Sequence, residues 1–368
     1  MADFELPLVD ASVFLEAPDS PQALLECQKA AQALHDYGCL LLRDPRVSND
    51  KNEEFLDMLE DYYSQPLDDL LQDARPELGY QIGVSPELTE DPKCRSHPDC
   101  QDLIASLSPD NRPLPLTQPD PKWRFFWRIG DVPEDTRFPR LNAPAVVPPR
   151  HERFPKWKSV MDGWGGLLHK AGLLVSEMAA VGFGLSRDTF TKLTQGGPHL
   201  LAPTGSDLEK YGQVGTVLAG FHYDLNFLTL HGKSRYPGLY IWPRNQGVKL
   251  QVKVPEGCLL VQTGRQMEYL TGGKVLAGYH EVVVTDRTQA AMERVRAVPE
   301  PQRRPLWRVS STFFLHIASD QLLRPLTPDF VDLPTAKNYP PILTGDYVKE
   351  ELTGIKLMKE YKEDEGNV

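Results

Sequence analysis

The stretch GTVLAGFHYDLNFLTLHG, residues 215–232, decides how this chain is read. It reads as a β-strand, and residues two apart on a strand point to one face. His222 and Asp224 are therefore expected on the same side, where an imidazole and a carboxylate can converge on one ion. His280 offers a third ligand from KVLAGYHEVVV (274–284), another β-branched, apolar run of strand type. Two histidines and a carboxylate on one face, with coordination positions left open, suit a redox-active Fe(II). A closed four-ligand set would instead be structural. An H-x-D tripeptide alone says little, because an isolated strand histidine is more often a core residue than a ligand.

Arg308 and Ser310 change that balance. They head RVSSTFFLHIAS (308–319), share a strand face, and pair a guanidinium fork with a hydroxyl, which together clamp a carboxylate. The order H-x-D, distal His, R-x-S resembles the isopenicillin N synthase-like branch of the Fe(II)/2-oxoglutarate-dependent dioxygenases. The resemblance extends to PGLYIW (237–242), to PEGCLLVQTGRQMEYLTGGKVLAGYHEVVV (255–284), and to LPLVDASVFL (6–15) with ALHDYGCLLLRDPRV (33–47) near the start. It covers about residues 6 to 330.

The resemblance implies a mainly β fold with flanking helices, a double-stranded β-helix (jelly roll) framed by N-terminal and C-terminal helices. It implies one catalytic unit over 1–368, divided into an N-terminal α/β segment (1–121), linking and supporting helices (122–197), the core (198–330) and a C-terminal helical tail (331–368). Fe(II) would be held by His222, Asp224 and His280, with Arg308 and Ser310 binding the far carboxylate of 2-oxoglutarate. O2 would be the oxidant and a small molecule the substrate. Two other readings stay open: an Fe(II) oxidase of the same fold that does not consume 2-oxoglutarate, and a non-catalytic metal-binding jelly roll.

The chain also departs from the family pattern. In HLLAPTGSDLEKYG (199–212) no tyrosine stands at the place where many members use one to hold 2-oxoglutarate, Tyr211 being too near the strand to substitute, and Gly264-Arg265 stands where Gly-Asp is usual. Arg265 could address an acidic substrate. Arg124 or Arg128, in WRFFWRIGD (123–131), could contact an anionic one; the bland alternative is that this aromatic cluster only anchors the N-terminal region. Asn226, His231 and His316 are further pocket candidates. EVVVTDRTQAAMERVRAVPEPQRRPLW (281–307) is longer than the family's usual hairpin, and its TQAAMERVRA portion reads as an inserted helix.

Composition excludes other classes. A formal charge of −11 without a basic stripe argues against nucleic acid or anionic membrane as partner. The sequence shows neither a signal-type start nor an apolar run of membrane-spanning length. Five cysteines, an odd number, suggest a reducing cytoplasm, and Cys94-x-x-His97-x-x-Cys100 lacks a fourth zinc ligand. A monomer is the default. Helices are expected at 18–38, with Ser20 as N-cap, Pro21 at N1 and Gly38 closing it, and at 53–66, 155–184 and 348–363. Residues 67–121 read as irregular surface with short helices.

Overall fold

A computed structural model describes residues 5–149, 152–328 and 330–358. The strands in chain order are β1 (Leu8–Asp10), β2 (Cys39–Arg43), β3 (Gly83–Ser85), β4 (Trp123–Ile129), β5 (His199–Leu201), β6 (Thr204–Asp207) and β7 (Val217–Tyr223). They continue with β8 (Leu228–His231), β9 (Leu239–Trp242), β10 (Leu250–Gln251), β11 (Cys258–Thr263), β12 (Tyr279–Val283), β13 (Trp307–Ser310) and β14 (Thr312–Leu315). The large sheet runs β1-β2-β11-β8-β14-β5-β4-β6-β13, with β3 beside β4; the small sheet runs β10-β9-β12-β7. Together they form the expected jelly roll, in which the two sheets face each other across an interior.

The supporting helices form for local reasons that the sequence displays. In Pro21–Tyr37, the Ser20 hydroxyl accepts from the Ala23 amide, proline fills the first position, and Gly38 ends the helix at φ 66°. Trp157–Gly182 buries Trp157, Trp164, Leu168, Val175 and Met178 along one side. It backs the large sheet so closely that a methyl group at Gly172 would touch Leu230 and Leu315. The main hydrophobic core draws residues from Val9 to Leu357, so helices from both ends of the chain share it with the sheet. Among the described residues, no helix is long and apolar enough to cross a membrane.

Several details differ from the sequence reading. Residues 215–232 are two strands, not one: the chain leaves the small sheet after Tyr223, turns through 224–227, and enters the large sheet at Leu228. The turn exists because Asn226 donates to the Leu228 and Leu315 carbonyls and so replaces strand pairing there. The second helix begins earlier than expected, at Asn49. The inserted helix is present as Asp286–Arg296, with a Thr285/Thr288 capping box. The C-terminal helix spans Thr344–Gly354, starting before the expected 348; residues 359–363 of that expectation lie outside the described residues. Cys94 and Cys100 form a disulfide, contrary to the all-reduced expectation, and pack beside Phe221 and Trp242. Cys27, Cys39 and Cys258 are free and buried.

Candidate active site

Strand register brings the histidines together. β7 and β12 are antiparallel neighbours in which His222 lies directly opposite His280, with ring centroids 4.2 Å apart. Asp224 follows β7 by one residue and turns its carboxylate toward both rings, at 3.7 Å from His222 Nε2 and 3.9 Å from His280 Nε2. One ligand atom from each of the three lies within 4.8 Å of the others. These distances exceed a hydrogen bond and leave room for an ion between the atoms.

The donor set fits a divalent metal. His222 Nδ1 sits 2.6 Å from the Gly220 carbonyl, which fixes the proton there and leaves a lone pair on Nε2. Burial pushes the pKa of both His222 and His280 down, favouring the neutral imidazole that a metal needs. Thr229 Oγ1 on β8 donates to Asp224 Oδ2 at 2.6 Å, and the Arg265 amide donates to the Asp224 carbonyl at 2.8 Å. The Asp224 carboxylate is thus held from the large sheet and its backbone from the loop after β11. Gly264 is required in that loop, because a Cβ would lie 1.9 Å from the Asn226 carbonyl oxygen.

Two cavities meet at His222 and Asp224, and Lys122 and Arg124 border both of them. The larger, about 440 Å³, runs between the sheets toward β13 and is lined by His231, Ser206, Arg308 and Ser310. Arg308 is only 6% exposed and lies opposite Ser206 on β6. Among the described residues, nothing hydrogen-bonds or ion-pairs with its guanidinium, and its Nε is a buried orphan. Burial without a compensating acid lowers its pKa to about 10. Ser310 accepts a hydrogen bond from Thr312 at 3.1 Å. His231 spans Gln262 and Thr312, and burial lowers its pKa to about 4.

The smaller cavity, about 90 Å³, lies on the other side of the triad. Its wall carries Glu90, Lys122, Arg124 and His316, and Glu351 of the C-terminal helix reaches its rim. Of the candidate substrate residues, Arg124, Asn226 and His316 line this cavity, but Arg124 already ion-pairs with Glu90 and Asn226 braces the turn. Arg128 is placed elsewhere. Four residues along β4 from Arg124, roughly 13 Å at strand rise, it is tied to Asn142 Oδ1 and to the Asp131 and Gly197 carbonyls. Arg265 pairs with Glu268 and does not line either cavity. Glu90, Asp120, Lys122, Lys93 and Glu351 were not anticipated. The one available signal was Lys122, which has the same parity as Arg124 at the head of β4.

Residues 205–317 match the model of the 2OG-Fe(II) oxygenase superfamily. That segment contains His222, Asp224, His280, Arg308 and Ser310 together. Over that segment the chain is similar to the 2OG-Fe(II) oxygenase superfamily. Solved oxygenase-fold structures agree over nearly the whole length. One is a Caulobacter crescentus protein assigned to the 2OG-Fe(II) oxygenase family: 24% identity, 95% of this chain and 99% of that chain covered, TM-score 0.70. Another is a full-length Neurospora crassa protein in complex with alpha-KG and thymine: 20% identity, 95% and 96% covered, TM-score 0.70. A third is a rice dioxygenase for auxin oxidation: 17% identity, 95% of each chain covered, TM-score 0.62. At these identities the likeness shows that the oxygenase fold is shared. No curated protein matches the chain.

Proposed function

We propose that this chain is an Fe(II)- and 2-oxoglutarate-dependent oxygenase acting on a small molecule, with His222, Asp224 and His280 as the metal ligands. The observation that carries the proposal is the larger cavity, which joins a three-donor facial set to a buried arginine that has no acid of its own. A cation kept in that state calls for an anion. The far carboxylate of 2-oxoglutarate supplies one, with Arg308 and Ser310 as its clamp. Bound Fe(II), with 2-oxoglutarate and O2, supplies the oxidising power to break an unactivated C–H bond. The protein's part is to hold and orient. Thr229 keeps the Asp224 carboxylate facing the histidines, and the Gly220 carbonyl keeps His222 in the metal-binding tautomer. The missing tyrosine is offset by His231 and Thr312, which line the same cavity.

Within the superfamily, the β1–β2 segment with its helix Pro21–Tyr37 supports the isopenicillin N synthase-like branch. A monomeric, cytoplasmic enzyme that acts as one catalytic unit completes the proposal, supported by the acidic balance and by a core shared from end to end. The test is succinate release from anaerobically Fe(II)-loaded protein after 2-oxoglutarate and O2 are added, with His222→Ala alongside. Succinate lost in the variant supports the proposal. Iron binding without succinate, across a screen of small molecules, would favour the 2-oxoglutarate-independent oxidase.

A further inference from the structure

The smaller cavity differs from the larger in one respect that bears on substrate. Every charged side chain lining it has an opposite partner. Lys122 lies 2.7 Å from Asp120 and 3.0 Å from Glu90, and Glu90 also pairs with Arg124. Lys93 lies 2.8 Å from Glu351, and Asp91 is paired with Arg95 at 3.1 Å and Lys356 at 2.6 Å. Asp224 belongs to the metal set.

A charged ligand has no counter-ion left to meet. A carboxylate seated here would approach Glu90 and Asp120, and like charges brought together away from bulk water repel. An ammonium would meet Lys122 and Arg124 with the same sign problem. What the cavity does leave open is neutral hydrogen bonding. Arg124 Nε and His316 Nδ1 are both buried without partners. The Arg124 N–H can only donate, and an unsatisfied buried donor carries a desolvation cost that an incoming acceptor would relieve. Phe126, Leu200 and Phe314 supply apolar wall around these groups.

We propose, resting on the oxygenase reading, that the molecule oxidised here carries no net charge and presents a carbonyl acceptor to Arg124, as an amide or lactam does. Glu90 is then a specificity-determining residue: it neutralises Arg124 and so excludes carboxylic acids from the site.

The experiment uses the full chain loaded with Mn(II) and N-oxalylglycine, a non-reacting mimic of 2-oxoglutarate that fills the larger cavity. Matched probes are added: benzamide, benzoate and benzylamine, then 2-pyrrolidinone against 4-aminobutyrate. Paramagnetic broadening of probe proton resonances, absent with Zn(II), reports binding beside the metal. The amide and lactam are expected to bind at least tenfold tighter than their charged counterparts. Glu90→Gln is expected to raise benzoate affinity at least tenfold by freeing Arg124. A wild-type preference for benzoate or benzylamine, equal binding of all probes, or binding of none overturns the proposal, whether or not the variant folds. Failure of N-oxalylglycine to bind would instead sink the oxygenase reading itself.

Discussion

Arg124 and Arg308 flank the same three metal-ligand candidates, and both are held far from bulk water with their pKa lowered to about 10 by burial. Arg124 shares its acid, Glu90, with Lys122, whereas Arg308 has none among the described residues. The first is a finished ion network and the second is half of one. The difference separates the roles of two buried arginines: an incomplete pair belongs where a charged ligand arrives, and a complete pair belongs where charge is to be kept out. Keeping a buried cation unpaired costs stability, so the arrangement around Arg308 is expected only where a ligand makes use of it.

The sharpest way to break this comparison is to remove each charge with an isostere of similar length. Arg124→Met leaves Glu90 with Lys122 as its remaining cation, so the variant is expected to lose stability, though by less than the cost of about 3–5 kcal/mol for a buried charge left wholly uncompensated. Arg308→Met removes a buried charge that nothing compensates, so the ligand-free protein is expected to gain about 1 kcal/mol or more. Urea unfolding without ligand should therefore move the two variants in opposite directions. Isothermal titration with 2-oxoglutarate should show affinity falling at least about a hundredfold in Arg308→Met, the scale of a lost charged hydrogen-bond pair. Destabilisation by both substitutions would mean that Arg308 is a structural ion after all.

A second prediction concerns the side chains that both cavities share. Thr229→Val keeps shape but deletes the 2.6 Å bond to Asp224 Oδ2. Loss of an outer partner of a ligand costs about 10–100-fold in metal affinity, to be read by competition for Fe(II) or Mn(II) with a chromophoric chelator. The effect should weaken ligand binding in both cavities equally. An effect on one cavity only would show that Asp224 is not held as a common support.

Much of this was readable from residue order, and the limits were physical. That His222, Asp224, His280, Arg308 and Ser310 would come together around one cavity was legible because strand parity and motif order constrain them locally. The helix ends at Ser20 and Gly38 were equally plain, since a cap is a property of neighbouring residues. The smaller cavity was not readable, because Glu90, Asp120, Lys93 and Glu351 come from irregular chain and from a distant helix, and nothing local records which carboxylate meets which cation. Arg124 and Arg128 looked alike for the same reason. They share a strand face, but β4 changes partner from β6 to β5 along its length, so the two arginines face different surroundings. The Cys94–Cys100 disulfide likewise depends on a loop geometry that composition does not reveal.

The roof of the smaller cavity offers the finest test of the same contrast. Lys93 Nζ donates to Glu351 and to the hydroxyl of Tyr223, the residue between His222 and Asp224, each at 2.8 Å. This pair is less deeply buried than Glu90–Arg124, with the two side chains 22% and 12% exposed, so solvent screens it and it contributes about 0.5–1 kcal/mol. Lys93→Met should therefore lower stability only slightly and leave 2-oxoglutarate affinity unchanged, because no part of Lys93 reaches the larger cavity. It does leave Glu351 as an uncompensated acid at the rim of the smaller one. Cationic probes should then gain about three- to fivefold while amide binding stays level, and the gain should shrink as salt is raised. A fall in 2-oxoglutarate affinity instead would mean that Tyr223 transmits changes at the roof to the metal-ligand candidates on either side of it, and that the two cavities are coupled rather than independent.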